Sequence, residues 1–200
     1  WGRFPFDRSC PDITAHALRA LLAWGEGLER ARQAGLYIAV RRGLHFLERS
    51  QRPDGAWVPL WFGNQQAPDQ VNPVYGTAQV LVALEELMAR GDRRCESMVR
   101  AARTRLRDSQ NPDGGWGGEL GVESGVEETA VALRALSFSC ETAELREGLV
   151  WLLDRTADGT EFPASAIGLY FSKLWYSEKL YPLIHAVGAF RAFMHSERDG

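Results

Sequence analysis

Residues 42–57 read RGLHFLERSQRPDGAW, and this stretch decides how the chain folds. Residues 105–116 repeat its ending as RLRDSQNPDGGW, with the glutamine, the Pro-Asp-Gly turn and the tryptophan at the same spacing. Residues 147–162 hold a weaker third copy, EGLVWLLDRTADGTEF, in which Thr156 replaces the glutamine and Phe162 replaces the tryptophan. A period of roughly 50–60 residues is typical of stacked structural repeats.

A second repeat, Thr-Ala-x-x-Leu-x-Ala-Leu, interleaves with the first. Its copies occupy residues 14–21, 77–84 and 129–136, and a looser copy occupies 186–193. Their apolar positions follow helical spacing, so the chain alternates two kinds of helix. The predicted helices are 12–26, 36–51, 73–90, 94–110, 126–139, 143–155, 166–178 and 182–196. No strand pattern competes, so we expect an all-α chain of helical hairpins, which periodicity alone allows to form an arc or a closed toroid.

Capping and turn residues support these boundaries. Asn72-Pro73 offers a cap followed by proline at the first helical position. Residues 124–127 (SGVE) fit a capping box, and Ser9 with Asp12 fits a looser one. The Pro-Asp-Gly turns favour helix ends at both strong repeat copies.

Composition excludes several classes of protein. The chain has 200 residues, of which 45% are hydrophobic and 24% charged, with a net charge of −3. These values do not fit a disordered tail or a nucleic-acid binder, and no run has the ~18 apolar residues of a membrane span. Its three cysteines, Cys10, Cys95 and Cys140, do not suggest a disulfide framework and favour a reducing compartment. Because it begins at Trp1 without a signal peptide, we expect a piece of a longer protein.

The first repeat resembles the QW repeat of triterpene cyclases, the squalene–hopene cyclases above all. Residues 12–16 (DITAH) are similar to that family's Asp-Val-Thr-(Ala/Gly)-His segment, and residues 71–77 (VNPVYGT) to its Asn-x-x-Tyr-Gly-Thr helix start. The aromatic residues after Phe162 resemble its C-terminal tail. The resemblance covers essentially all 200 residues in the family's order. It implies that residues 1–200 are the C-terminal part of an (α/α)6 barrel, a double ring of twelve helices that is incomplete here.

The resemblance also implies a function. The family includes class II terpene cyclases, which protonate a linear isoprenoid such as squalene and close rings through carbocations, an isomerase (intramolecular transferase) or lyase reaction. The family's proton donor is an Asp-x-Asp-Asp motif, which no aspartate of this chain forms. We therefore expect the donor upstream of Trp1, and no turnover by this piece alone.

The family resemblance further implies no metal or other cofactor and no nucleic-acid partner. It implies a full-length homodimer on the cytoplasmic side of a membrane, attached peripherally as a monotopic protein. The piece by itself is expected to be soluble.

His16 and Asp12 are the candidate catalytic residues. In the family, the matching histidine hydrogen-bonds the donor aspartate, and a protonated imidazole would make that carboxyl a stronger acid. Asp12 precedes His16 by one helical turn, so its carboxylate could orient the ring. Spacing alone equally allows a capping role for Asp12 and a core role for His16.

Four aromatic residues are candidates for the cavity wall. Phe162 and Tyr170 match family aromatics that face late carbocations, and Phe171 and Trp116 lie next to the same wall by resemblance. Aromatic faces stabilise a cation by roughly 0.5–2 kcal/mol per contact. An ordinary aromatic core, or for Trp116 a bracing role within the repeat, explains them as well. Gln51, Trp57 and Gln110 are expected to brace the barrel, and Glu127 and Glu128 to be first-turn helix charges.

Two other interpretations stay open at the level of sequence. The chain could be a noncatalytic helical-repeat module that binds an isoprenoid or a protein. Cys10-x-Asp12 with a distant histidine also resembles the zinc ligands of protein prenyltransferases, although there the order is Asp-x-Cys.

Overall fold

The computed structural model describes residues 8–25, 27, 29–138, 143–169 and 174–196. These residues form seven α-helices and one two-stranded β-hairpin, and a 3-10 turn, Arg93–Cys95, precedes the fourth helix. In chain order the elements are α1 (Pro11–Gly25), α2 (Arg30–Ser50), α3 (Pro73–Ala89), α4 (Glu96–Arg107), α5 (Val126–Leu136), α6 (Ala143–Arg155), β1 (Ser165–Leu169), β2 (Leu174–Glu178) and α7 (Leu180–Ser196).

The helices form two layers. Helices α1, α3, α5 and α7 pack side by side in that order as the inner layer, and α2, α4 and α6 each pack on the inner helix that precedes them. All four copies of the Thr-Ala repeat lie on inner helices. Their alanines Ala15, Ala78, Ala130 and Ala186 are fully buried, because small side chains let neighbouring helices approach closely. The fold is the expected class of repeated helical hairpins, and the described part of the chain holds fewer helices than the twelve of a complete double ring.

The repeat glutamines connect successive outer helices. The Gln51 side-chain amide donates to the carbonyl of Gly55 at 3.0 Å and to that of Met98 in α4 at 3.1 Å. Gln110 repeats both bonds one hairpin later, at 2.8 Å each, to its own turn and to Glu144 in α6. One amide therefore fixes its own turn and also holds the next outer helix.

The repeat tryptophans connect each turn to both layers. The Trp57 indole N–H donates to the Leu47 carbonyl at 2.8 Å, and its backbone N–H donates to the Thr77 hydroxyl of α3 at 3.0 Å. Trp116 makes the same pair of bonds, at 2.7 Å to α4 and at 2.9 Å to α5. Both indoles are fully buried. These bonds give the repeat the bracing role that the sequence predicts.

The predicted helix over 166–178 is wrong. Strands β1 and β2 pair there as an antiparallel hairpin, with Ser165 opposite Glu178 and Leu169 opposite Leu174. Gly168 permits this pairing, because a Cβ at that position would lie 2.0 Å from the Leu174 carbonyl oxygen. Short apolar and aromatic runs fit both helical and strand periods, which is why spacing misled the prediction.

The predicted helix boundaries are partly correct. The Asn72 cap is confirmed: its side chain accepts from the Tyr75 backbone N–H at 3.0 Å, and Pro73 opens α3. The capping box at 124–127 is wrong, because Gly125 caps α5 without a side-chain bond and the Ser124 hydroxyl donates to Asp113 instead. Helix α2 begins at residue 30 rather than 36, and α4 and α5 end three residues earlier than predicted.

Candidate functional site

The opening turns of the inner helices bring ionisable residues together at one end of the inner layer. Asp12, Tyr75 and Glu127 lie in the first turns of α1, α3 and α5, and His185 lies in the second turn of α7. The Tyr75 and His185 rings are in edge contact at 6.0 Å, and Glu127 Oε1 lies 3.7 Å from His185 Nε2. Burial raises the pKa of Tyr75, and the charges of Glu127 and Asp12 raise it further. The four residues therefore form one electrostatic cluster.

The Asp12 side chain is completely buried, and only one of its two carboxylate oxygens has a hydrogen-bond partner. Its Oδ1 is in contact with the Cys10 thiol, which also accepts a hydrogen bond from the Leu60 backbone N–H at 3.0 Å. Asp12 Oδ2 is buried without a hydrogen-bond partner. Burial, followed by the bond to Asp12, raises the pKa of the Cys10 thiol to about 12, so the thiol remains a donor at neutral pH. Cys10, rather than the predicted Ser9 box, therefore orients this carboxyl group.

His16 is exposed on α1, and its surroundings lower the pKa of its imidazole. Burial of part of the ring lowers its pKa, the charges of Arg19 and Arg134 lower it further, and only Asp12 raises it. The net effect is a pKa below the usual value of about 6.5, so the imidazole is neutral at neutral pH. Burial and the two arginines therefore outweigh the Asp12 carboxylate in these surroundings.

Glu127 and Glu128 lie in the first turn of α5, as the sequence predicts, and both are buried. Glu128 Oε1 accepts from the amides of Asn64 at 2.8 Å and Asn72 at 2.9 Å. Burial raises the pKa of Glu128, and burial followed by the charge of Glu128 raises the pKa of Glu127 to about 8. Both residues directly precede Thr129, the first residue of a Thr-Ala repeat copy. This position indicates that they belong to an inner helix, and the residues of that helix are nearly all buried.

An aromatic box that the sequence did not predict adjoins this cluster. Its members are Phe62, Tyr75, His185 and Tyr181, and each ring contacts two others. Phe62 lies 5.0 Å from Tyr75 and 5.9 Å from Tyr181 between ring centroids, and Tyr181 stacks on His185 at 6.1 Å. The residues come from a loop and two inner helices, so the sequence does not show that these four rings are in contact.

Two of the predicted cavity aromatics, Phe162 and Trp116, are not members of this box. Phe162 is half-buried and packs against the helical core. Trp116 has no exposed surface, and its indole is hydrogen-bonded within the repeat, which favours the bracing interpretation. Tyr170 and Phe171 lie outside the described residues.

The inner layer also carries a set of positive charges near the cluster. Arg19 of α1 forms a bidentate pair with Glu86 of α3, with its Nε 2.9 and 3.0 Å from the two carboxylate oxygens. Arg134 of α5 is half-buried, and burial followed by the charge of Arg19 lowers its pKa. Arg134 also lowers the pKa values of His16 and His185. Burial and the charge of Arg134 lower the pKa of both imidazoles, and Arg19 adds to this effect at His16.

Within the described residues, no three His, Cys, Asp or Glu side chains are placed to share a metal ion. None of the helices in the described part of the chain is both long and apolar enough to cross a bilayer.

Comparison with known proteins identifies the family. Residues 5–154 match the family described as the squalene-hopene cyclase C-terminal domain. A probable squalene–hopene cyclase of Sinorhizobium fredii is 31% identical over 167 residues, which are 84% of this chain and 22% of the relative. A copalyl diphosphate synthase of Streptomyces cyslabdanicus is 28% identical over 177 residues, 88% of this chain and 30% of that protein. The chain thus spans less than a third of either relative.

A solved structure shows the same fold. The ent-copalyl diphosphate synthase from Streptomyces platensis superposes with a TM-score of 0.67 at 23% identity, covering 94% of this chain and 34% of that one. This likeness concerns the arrangement of helices alone. The family match, which takes in more than half of the residues, carries the assignment. The chain therefore belongs to the squalene–hopene cyclase C-terminal domain family of terpene cyclases.

Proposed function

We propose that residues 1–200 are the C-terminal barrel segment of a class II terpene cyclase that acts on a linear isoprenoid. The observation that carries the proposal is Asp12 Oδ2, a fully buried carboxyl oxygen without a partner, one helical turn from His16 and electrostatically coupled to Tyr75 of the aromatic box. A buried polar atom without a partner is costly, so such an atom marks a place where another group docks. A proton-donating carboxylic acid supplied by an upstream segment fits that place.

The chemistry divides between the upstream donor and this segment. The donor O–H adds its proton to a terminal alkene, the alkene π electrons form the new C–H bond, and a tertiary carbocation remains. Asp12 Oδ2 can accept a hydrogen bond from the donor or a bridging water and so fix its orientation. His16 holds a neutral imidazole that can bind the conjugate carboxylate, whose negative charge would in turn raise the pKa of His16. His16 and Asp12 are thus the proposed acid-site residues.

The aromatic box can stabilise the carbocations that follow. The faces of Phe62, Tyr75 and Tyr181 offer negative quadrupoles without a nucleophilic charge. Burial keeps the Tyr75 phenol and the Glu127 carboxyl largely protonated at neutral pH, so neither is an anion that would capture the cation. Phe162, Tyr170 and Phe171 remain proposed contributors to the wall through the family resemblance.

The substrate is proposed to be squalene-like, and the relatives named for copalyl diphosphate add a prenyl diphosphate as a second substrate class. The reaction would be classed as that of an isomerase or lyase. Because such substrates partition into lipid, we also propose that the full-length protein is a peripheral membrane homodimer on the cytoplasmic side. The segment contributes hydrogen bonding and cavity walls, whereas the proton comes from upstream.

Turnover by the full-length protein tests the proposal. Purified full-length protein is incubated with squalene and, separately, with geranylgeranyl diphosphate, and products are identified by gas chromatography–mass spectrometry, after phosphatase treatment for the diphosphate. Cyclic products from either substrate are expected, and the 200-residue chain alone should form none. Binding of an isoprenoid without any product would instead support the noncatalytic module and overturn the proposal.

A further inference from the structure

We propose that His185 accepts the proton that ends the cyclisation. This inference rests on the proposed function. A carbocation cascade ends when water adds or when a carbon next to the cationic centre loses a proton. The second route needs a base that is uncharged while the cation forms and that lies against the cavity wall.

The geometry around His185 fits such a base. Its Nε2 is buried and has no hydrogen-bond partner, although Glu127 Oε1 lies 3.7 Å away. A ring nitrogen in that state can accept a proton without first breaking a bond. The imidazole is itself one wall of the aromatic box, between the edge of Tyr75 and the face of Tyr181. A cation held by the box is therefore in contact with its proton acceptor.

The charges around His185 suit the same role. The groups that face it are Glu127, Tyr75, Tyr181, Arg134 and, across the inner layer, His16. Burial, followed by Arg134 and His16, lowers the pKa of His185 to about 4, so the ring is neutral at neutral pH. A weak base is sufficient, because a C–H bond next to a carbocation is extremely acidic.

The transfer balances without any further reagent. The C–H bond beside the cationic carbon breaks, and its electron pair becomes the second bond of a new C=C. The proton binds Nε2 of His185 to give an imidazolium. The adjacent Glu127 carboxyl can lose its own proton to water as the imidazolium forms, which leaves an ion pair. When the imidazolium passes its proton to the Glu127 carboxylate, both groups are neutral again and one proton in total has left to water.

The test compares variants of the full-length protein. His185→Gln keeps a polar side chain without a comparable base, and His185→Phe keeps the aromatic packing. The matched control is His45→Gln, because the His45 side chain is 67% exposed on outer helix α2. Each protein is incubated with squalene and with geranylgeranyl diphosphate, and products are quantified by mass spectrometry. Folding is checked by circular dichroism.

The expected result is a change in products. The cyclic alkene should fall by about tenfold or more in both His185 variants, with alcohols from water capture or products with more rings in its place, while substrate consumption falls by a smaller factor. The His45 variant should match the unaltered protein. Unchanged products, complete loss of consumption by folded variants, or failure of both variants to fold would each overturn the role of His185. If the unaltered protein forms no cyclic product at all, the proposed function fails as well.

Discussion

Gln51 in the first repeat turn donates its side-chain amide to the Met98 carbonyl of α4, and the same amide donates to its own turn. These amide bonds, the bonds of Trp57 to α2 and α3, and the packed inner helices together connect one hairpin to the next. In the third copy Thr156 replaces this glutamine, and its hydroxyl bonds to Leu152 within α6 and to Gly159 in its own turn. The glutamine amide differs in that it also reaches the next outer helix.

We expect Gln51→Ala to lower the free energy of unfolding by about 1–3 kcal/mol, because two hydrogen bonds are lost and the Met98 carbonyl loses a partner. Urea denaturation followed by circular dichroism measures the change. Gln65→Ala is the control, since Gln65 is exposed. A Gln51 variant as stable as the control would show that the amide bonds do not stabilise the connection between the hairpins.

Gly55 is a position in the first repeat turn where any side chain would be strained. Its φ is +87°, and a Cβ would lie 2.6 Å from the Ala101 carbonyl oxygen of α4. Gly55→Ala should therefore lower the free energy of unfolding by about 2 kcal/mol or more, through backbone strain and separation of the hairpins. Thermal unfolding of the same chain measures it.

Gly35 provides the matched control for that substitution. It lies inside α2, and a Cβ there would meet nothing within 4 Å. Gly35→Ala should raise the free energy of unfolding by about 0.5–1 kcal/mol, because alanine loses less conformational entropy in a helix. If both substitutions destabilised the chain equally, the turn geometry would not be the cause.

These contacts differ in how far sequence could predict them. The bonds of Trp57 and Gln51 follow from a repeated spacing, because a turn of fixed length places the two side chains against the preceding helix in each copy. Contacts between inner helices depend on how two distant segments align. Glu127 and His185 are far apart in the sequence, as are Phe62 and Tyr75, so no spacing pattern in the sequence predicts that these pairs are in contact. The β-hairpin was missed because its aromatic spacing suits a helix equally well.

The buried Glu127 predicts an unusual dependence of stability on pH. Its pKa rises from an ordinary 4.5 to about 8 on folding, so the folded chain holds this proton more tightly than the unfolded chain. Between these two values the unfolded state has released the proton and the folded state has not. The contribution to stability is therefore complete below about pH 4.5 and is lost as the pH rises towards about 8. Glu128 acts in the same direction.

Urea unfolding at several pH values between about 5 and 8 measures this slope. Glu127→Gln should flatten it, because a neutral amide of the same shape has no proton to release. Glu123→Gln is the control, since Glu123 is exposed near the same helix start. A slope that stays the same in Glu127→Gln would mean that other groups cause the pH dependence.

His16 is expected to matter for turnover and not for folding. Because its side chain is exposed and lies on α1 beyond the core, His16→Ala in the full-length protein should leave the melting temperature nearly unchanged. If the imidazole assists the upstream acid, kcat/KM should fall by about 100-fold or more. Asp12→Asn should reduce turnover too, but it should also destabilise the chain, because Asp12 is fully buried and its Oδ1 is in contact with Cys10.

Cyclisation of squalene or geranylgeranyl diphosphate by each variant is the measurement, with His45→Ala as the control. A folded His16→Ala protein whose kcat/KM stays within about twofold of the unaltered enzyme would remove His16 from the acid site. The initiating acid would then depend on Asp12 and upstream residues alone.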